Sequence, residues 1–209
     1  MKVKDDYNWE QYTQSHYEKE LNGNYRNQNI AMIVSDFNIV KNELVMNDNL
    51  HPNWKQLYHL IYKLGVKSVY ECGCGCAHHL INAKIVNPNL QVNGCDYSQS
   101  QIDLGYKYFN LQKYDFGKNL KVLDFVNVKD VESLGKHEFV YTQAVTMHLS
   151  FENAKKFMEN MKKISSKYVF LVENINLHDY NKLVGEVFSD WEKIIDNKYI
   201  NYGILLKRK

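Results

Sequence analysis

The residues of this chain best equipped for chemistry crowd into one stretch, Ser68 to Leu80, which reads SVYECGCGCAHHL. It sets Glu71, the thiols Cys72, Cys74 and Cys76, and the imidazoles His78 and His79 directly after a β-like run, with Gly73 and Gly75 threaded between the thiols. Three readings compete: a metal clip, a nucleotide-binding loop and a plain turn. The clip is poorly served, because zinc pairs usually keep two to four residues between ligands, and alternate residues share a direction only while the strand lasts. The glycines favour a nucleotide loop, since missing side chains where strand turns into helix let a ligand reach the backbone and the helix N-terminus. A dinucleotide fingerprint wants a third small residue three positions after Gly75, but His78 stands there, with Ala77 one earlier. A nicotinamide dinucleotide therefore fits badly, and a different adenosine ligand stays open. About twenty residues on, NGCDYSQSQI brings Asp96 to the end of a second strand, where a carboxylate accepts both hydroxyls of a ribose.

Such residues meet only if strands and helices carry them to one edge, and the sequence supplies that alternation. Pro52 suits a first helical turn, Trp54, Leu57, Tyr58, Ile61 and Leu64 share one helical face, and Gly65 is a stop. There follow a strand at VKSVY, a helix from about Ala77, a strand at LQVNGC, a helix from about Gln99 and a short strand near LKVLDF. Next come a strand at EFVYTQ, a helix at SFENAKKFMENMKKI and the run KYVFLVENI. This rhythm predicts a doubly wound α/β domain, its mostly parallel sheet covered on both faces. The tail WEKIIDNKYINYGILLKRK has two strand-like runs and no room for a crossover helix, which predicts an antiparallel C-terminal edge hairpin and brings the sheet to seven strands. The first residues, to about 50, are polar and rich in tyrosine. NWEQYTQSHYEKEL makes a short amphipathic helix through Trp9, Tyr12, His16, Tyr17 and Leu21, and LNGNYRNQN, with Tyr25 and Arg26, is a loop. The expectation is one domain over 1–209, an N-terminal helical lid to about residue 50 and a cofactor-binding core from about 51.

The 209 residues, 44% of them hydrophobic, suffice for one domain with a sizeable core. With 26 basic against 24 acidic residues the net charge is +2, so no broad basic field suits a nucleic-acid groove or an anionic membrane, and a small-molecule partner is expected. No stretch approaches the ~18 uninterrupted apolar residues of a membrane span, and MKVKDDYNWEQY holds no apolar signal core. All four cysteines, including Cys95, fall in one region, unlike a secreted disulfide framework. A reduced, cytoplasmic chain without membrane insertion is expected, either monomer or homodimer.

With these motifs in order, the chain from about Leu50 to its end resembles the class I S-adenosylmethionine-dependent methyltransferases. VYECGCGCAHHL looks like the family's first motif, GCDYSQSQI like its acidic loop, and HEFVYTQAVTMHLS like the strand-four motif FDxVxxxxVxxHL. Ala77 departs from the third glycine and Glu138 from the usual aspartate. The resemblance implies a Rossmann-like fold, S-adenosyl-L-methionine as cofactor and S-adenosyl-L-homocysteine as product, with no metal required. It implies that Glu71, Gly73 and Gly75 hold the methionine moiety, that Asp96 takes the ribose hydroxyls, and that Tyr97 and Asp124 lie at the adenine. Gln143 then sits where donor and acceptor meet, a neutral amide that orients without removing a proton. His148, five residues on, is either the base that takes a hydroxyl proton or a packing residue ahead of the helix capped by Ser150. Tyr17 is expected against the cofactor from the lid. Tyr25, Arg26 and His178 are expected at the acceptor, Arg26 because a guanidinium fork suits a phosphate or carboxylate. The chain lacks the Asp/Asn-Pro-Pro-aromatic signature of enzymes acting on nucleic-acid bases or protein amides. The resemblance therefore points to O-methylation of a sugar, or of a phosphoryl or phosphoramidate group, in bacterial capsule or surface-polysaccharide biosynthesis. A small-amine N-methyltransferase and a non-catalytic cofactor-binding module are the alternatives.

Overall fold

The structure is a computed structural model that describes residues 8–13, 37–46, 50–109, 111, 116, 118–173, 176–194 and 203–209. Its centre is a seven-stranded sheet of β3 (Ser68–Cys72), β4 (Gln91–Asp96), β5 (Leu120–Val122), β6 (His137–Gln143), β7 (Ser165–Val172), β8 (Trp191–Ile194) and β9 (Gly203–Arg208), in the order β5-β4-β3-β6-β7-β9-β8. The first five of these pair in parallel, and β9 runs antiparallel between β7 and β8. The doubly wound sheet and its reversed C-terminal edge are thus as the sequence predicts. The strand order reverses at β3, with β4 and β5 to one side and β6 and β7 to the other, so a crevice opens there at the carboxyl edge.

Alternation along each strand feeds two cores. Val69, Phe139, Tyr141 and Phe170 pack under the helices α2 (Pro52–Leu64) and α3 (His78–Val86), with Tyr106 and Phe109 of α4 (Gln99–Phe109) at the margin. Tyr70, Val140, Val169 and Leu171 face the other way, under α5 (Phe151–Ile164) and α6 (Tyr180–Val187). Each such side chain removed from water stabilises the fold by about 1.5–3 kcal/mol before the entropy of ordering it is subtracted. The helix ends follow local chemistry. His51 Nδ1 accepts from Asn53 N–H ahead of Pro52, Gly65 stops α2 at φ +58°, and Ser150 Oγ accepts from Asn153 N–H to cap α5.

Several elements depart from the periodicity. The third strand begins at Ser68 rather than Val66, because Lys67 N–H donates to Glu138 Oε2 at 2.9 Å. Glu138 also pairs with Lys167 at 2.8 Å, so the residue that departs from the strand-four motif ties β3, β6 and β7 at their amino ends, away from the crevice. Helix α6 lies in a stretch whose short apolar repeat the sequence reading passed over, and Asp179 caps it by accepting from Lys182 N–H at 3.0 Å. Before α2 a hairpin of β1 (Phe37–Val40) and β2 (Glu43–Met46) turns through Lys41 and Asn42, both at positive φ. Leu44 is buried and Phe37 sets its ring edge-on to Tyr58 at 5.3 Å, which seats this polar-looking segment on the α2 core. Of the predicted lid helix, α1 (Trp9–Tyr12) and Thr13 are described, while Tyr17, Tyr25 and Arg26 lie outside the described residues. No helix among the described residues is long and apolar enough to cross a membrane.

Candidate active site

The loop after β3 is held by the neighbouring strand: Gly73 and Cys74 N–H both donate to the Cys95 carbonyl at 2.8 Å. Gly73 sits at φ +78° with Val145 directly above, so close that an added Cβ would lie 2.4 Å from Val145 Cγ2. Ala77 takes φ +63°, an unfavourable left-handed value for a residue with a Cβ, at the position of the absent third glycine. Helix α3 then starts with no side-chain cap, leaving its first N–H groups and positive dipole end facing the crevice. Beneath the loop Glu71 is 1% exposed and accepts from Tyr141 O–H at 3.1 Å. Burial, opposed by that bond, holds its carboxyl well above the usual range. The four cysteines are free and buried, and burial raises the thiols of Cys72 and Cys74 and takes Cys95 up to about 12.

Asp96 closes the next corner. Its Oδ2 accepts from Gly75 N–H at 2.7 Å and its Oδ1 from Ser98 N–H at 2.9 Å, tying the glycine loop to the end of β4. The Tyr97 N–H adds a third donor, and the carboxylate keeps accepting capacity for an incoming hydroxyl. Burial raises its carboxyl above the ordinary value against the pull of those N–H groups. Beside it Tyr97 is 66% exposed, and Val122, which pairs with Asp96 across the β4–β5 ladder, is exposed too, an open apolar shelf for a flat ring. Asp124 is occupied locally, accepting from Val126 and Asn127 N–H and from Asn127 Nδ2. Segment α1 lies against this corner. Glu10 Oε1 accepts from Ser98 Oγ at 2.7 Å, and Gln101 Nε2 donates to Thr13 Oγ1 at 2.8 Å. From the same segment Trp9 reaches His148, ring edge to face at 5.1 Å.

Opposite, β6 delivers Gln143, after which Ala144 turns at φ +53° into a 3-10 turn, Thr146–His148. His148 is half-buried, and burial lowers its imidazole below the ordinary 6.5, leaving it neutral and able to accept a proton at neutral pH. His178 points at the backbone of this turn, its Nε2 donating to the Thr146 carbonyl at 2.9 Å. It therefore braces the turn, where the sequence reading put it at the acceptor.

An aromatic group from α2 and α3 joins Gln143. Trp54 sets its ring edge-on to His78 and His79, at 5.6 and 5.1 Å, and the two imidazoles lie 3.9 Å apart. Asn82 Nδ2 donates to Tyr58 Oη at 2.8 Å, and Tyr58 Oη is 2.7 Å from His79 Nδ1. We assign the hydroxyl proton to that bond, which leaves the neutral ring's proton on Nε2, toward Gln143. Gln143 Oε1 approaches without closing a hydrogen bond, and His78 Nε2 and Asn53 Oδ1 are likewise buried without a partner among the described residues. Burial takes His78 down to about 4 and holds His79 well below 6.5. Glu71, Gly73, Gly75, Asp96, Tyr97, Gln143 and His148 thus lie around one crevice. Trp54, Trp9, Glu10 and Glu173 were missed. Their partners are 24 to 139 residues away, and only a tryptophan in a first helical turn or an acid ending a strand gave any sign of them.

No family model matches the sequence. Among curated proteins the chain is 28% identical over 102 residues, 46% of its length, to a protein named transactivator/viroplasmin from Cassava vein mosaic virus, and it spans a quarter of that protein, 25%. Solved structures share its architecture. The plantazolicin methyltransferase BpumL, in complex with SAH, superposes with a TM-score of 0.58 at 12% identity, covering 95% of this chain and 93% of that one. Magnesium protoporphyrin IX methyltransferase (ChlM) from Synechocystis PCC 6803, with bound SAM, gives 0.56 at 15% identity over 75% of this chain and 78% of that one. An O-methyltransferase family protein from Burkholderia thailandensis gives 0.57 at 12% identity over 74% and 55%. At such identities the likeness is one of fold.

Proposed function

We propose that this chain, which carries the fold of the class I S-adenosylmethionine-dependent methyltransferases, transfers a methyl group from S-adenosylmethionine to a small molecule. The observation that carries the reading is the Asp96 corner: a strand-end carboxylate bonded to the Gly75 N–H, with unused lone pairs, beside the exposed ring of Tyr97. The residues present suit the cofactor. The uncapped start of α3 suits a carboxylate, and buried Glu71 suits an ammonium. When bound, the cofactor supplies an electrophilic methyl on a sulfonium. The protein then has mainly to align the acceptor, a kind of positioning able to supply ~7–11 kcal/mol of barrier reduction.

For the acceptor we propose a neutral hydroxyl, as on a sugar of a surface polysaccharide. Gln143 Oε1 and Asn53 Oδ1, both without partners among the described residues, are matched by a molecule that donates hydrogen bonds. Neutral His148 takes the hydroxyl proton as the methyl transfers.

Calorimetry with S-adenosylhomocysteine tests the core of this reading. Wild type is expected to bind, and Asp96→Ala to bind more weakly by ~2–4 kcal/mol, about 30- to 1000-fold. Equal affinity of the two proteins, or no binding by wild type, overturns it. Incubation with labelled methyl donor and pooled small hydroxyl compounds follows, and binding without transfer to any of them turns the reading toward a non-catalytic module.

A further inference from the structure

Glu173 follows β7 and is 3% exposed, an acid buried without a lysine or arginine paired to it among the described residues. Its carboxylate instead receives the turn after β6. Val145 and Thr146 N–H donate to Oε1 at 3.1 and 3.2 Å, and Met147 N–H donates to Oε2 at 3.2 Å. The Thr146 hydroxyl stands between that carboxylate and the Tyr180 hydroxyl, 2.9 Å away. The turn so held contains the strained Ala144, presses Val145 onto Gly73, and ends in His148. One side chain therefore fixes the lid of the glycine loop and the imidazole together.

We propose that Glu173 is a positioning residue for the methyl transfer, its ionised carboxylate holding the turn from Val145 to His148 in working form and its protonation releasing Met147 and the adjoining His148. The proposal rests on the reading of this crevice as a methyl-transfer site. The chemistry of the carboxyl gives the order of events. Protonated on Oε2, it still accepts from Val145 and Thr146 through Oε1, but it meets Met147 donor to donor. The titratable groups that face it are Tyr180 from α6, His178 through the Thr146 carbonyl, and His148 at the end of the turn, none of them a fixed cation. Burial opposed only by N–H and O–H donors takes its carboxyl up to about 7, so the release falls near neutrality.

Hydrogen exchange at the Met147 amide of the full chain, corrected for the intrinsic rate, tests this at pH 8 and pH 6. Wild type is expected to lose about tenfold in protection on the way down, as the protonated share of a group titrating near 7 rises from about a tenth to about nine-tenths. In Glu173→Gln, whose amide nitrogen confronts Met147 as the protonated oxygen does, protection is expected to be low at both pH values. Wild-type affinity for S-adenosylhomocysteine is expected to fall several-fold over the same interval and to be flat in the variant. Constant wild-type protection, or a variant protected like wild type, overturns the proposal, and the wild-type measurement decides even if the variant does not fold. Wild type that binds no S-adenosylhomocysteine at either pH removes the methyl-transfer reading and the proposal with it. Binding with unchanged affinity and protection removes the role of Glu173 alone.

Discussion

Gly73 and Gly75 share a left-handed backbone and differ in what stands above them. Over Gly73 lies Val145, 2.4 Å from the place of a Cβ, whereas the nearest atom over Gly75 is Gln101 Oε1 at 3.4 Å, the end of a flexible side chain. Gly75→Ala therefore meets little more than backbone strain, about 1 kcal/mol, of the kind Ala77 already bears two residues on. Gly73→Ala adds an overlap that only movement of the β6 turn relieves, and is expected to destabilise by at least ~3 kcal/mol. Urea unfolding of both variants measures the difference, and equal losses contradict the packing described. The spacing of the glycines was legible in the sequence. Which of them carries the contact was not, because Val145 arrives from a strand some seventy residues later.

At the scale of elements, α1 and the turn Thr146–His148 face each other across the crevice through Trp9 and His148. Helix α1 buries none of its own residues, and its segment meets the rest of the chain through Trp9, Glu10 and Thr13. If His148 is the base, His148→Gln lowers the methyl-transfer rate on the order of 10²–10⁴-fold. Trp9→Ala leaves the imidazole in place and is expected to lower turnover less, with Tm within about 2 °C of wild type. A negligible effect of His148→Gln beside a large rise in KM from Arg26→Ala turns the acceptor from a hydroxyl to an anionic oxygen, which needs a cation and no base. The four-residue helix α1 was legible as part of an amphipathic pattern containing Trp9. Its docking on Ser98, Ser100 and Gln101 was not, since hydroxyls and amides carry no periodic signal.

For the molecule as a whole, burial drives two sets of titratable groups in opposite senses. His78, His79, His137 and His148 are held below 6.5, and Glu71, Asp96 and Glu173 above the usual carboxylate range. A histidine lowered in the folded state contributes stability that is present above about 6.5 and lost as the pH falls through its folded value. An acid raised in the folded state contributes stability that is present in acid and lost as the pH rises through its folded value, which for Glu173 means between 4.5 and about 7. The two sets offset each other in wild type, so the difference against a variant is the informative quantity. For His78 the window runs from 6.5 down to about 4. Removing that titration in His78→Gln is expected to spare the protein on the order of 2–3 kcal/mol of its loss across the window. Denaturant midpoints of both proteins at pH 7 and pH 4.5 check this, and parallel pH dependences refute it.

Periodicities of two and 3.6, a proline and a glycine around α2, and a tail too short for a crossover were enough to determine the seven strands, their winding and the reversed edge, because each of those signals is local. The place of the acid, glycine and acid proposed to hold the cofactor was equally legible, since Glu71, Gly73 and Asp96 lie at strand ends, and strand ends in such a sheet lead to one edge. The seating of the hairpin Phe37–Met46, the imidazole pair under Trp54 and the grip of Glu173 on the β6 turn were decided by tertiary structure alone. In each case a side chain meets a partner distant in sequence, and whether a polar group is buried, and so whether it is charged, follows from that meeting and not from the residue's own type.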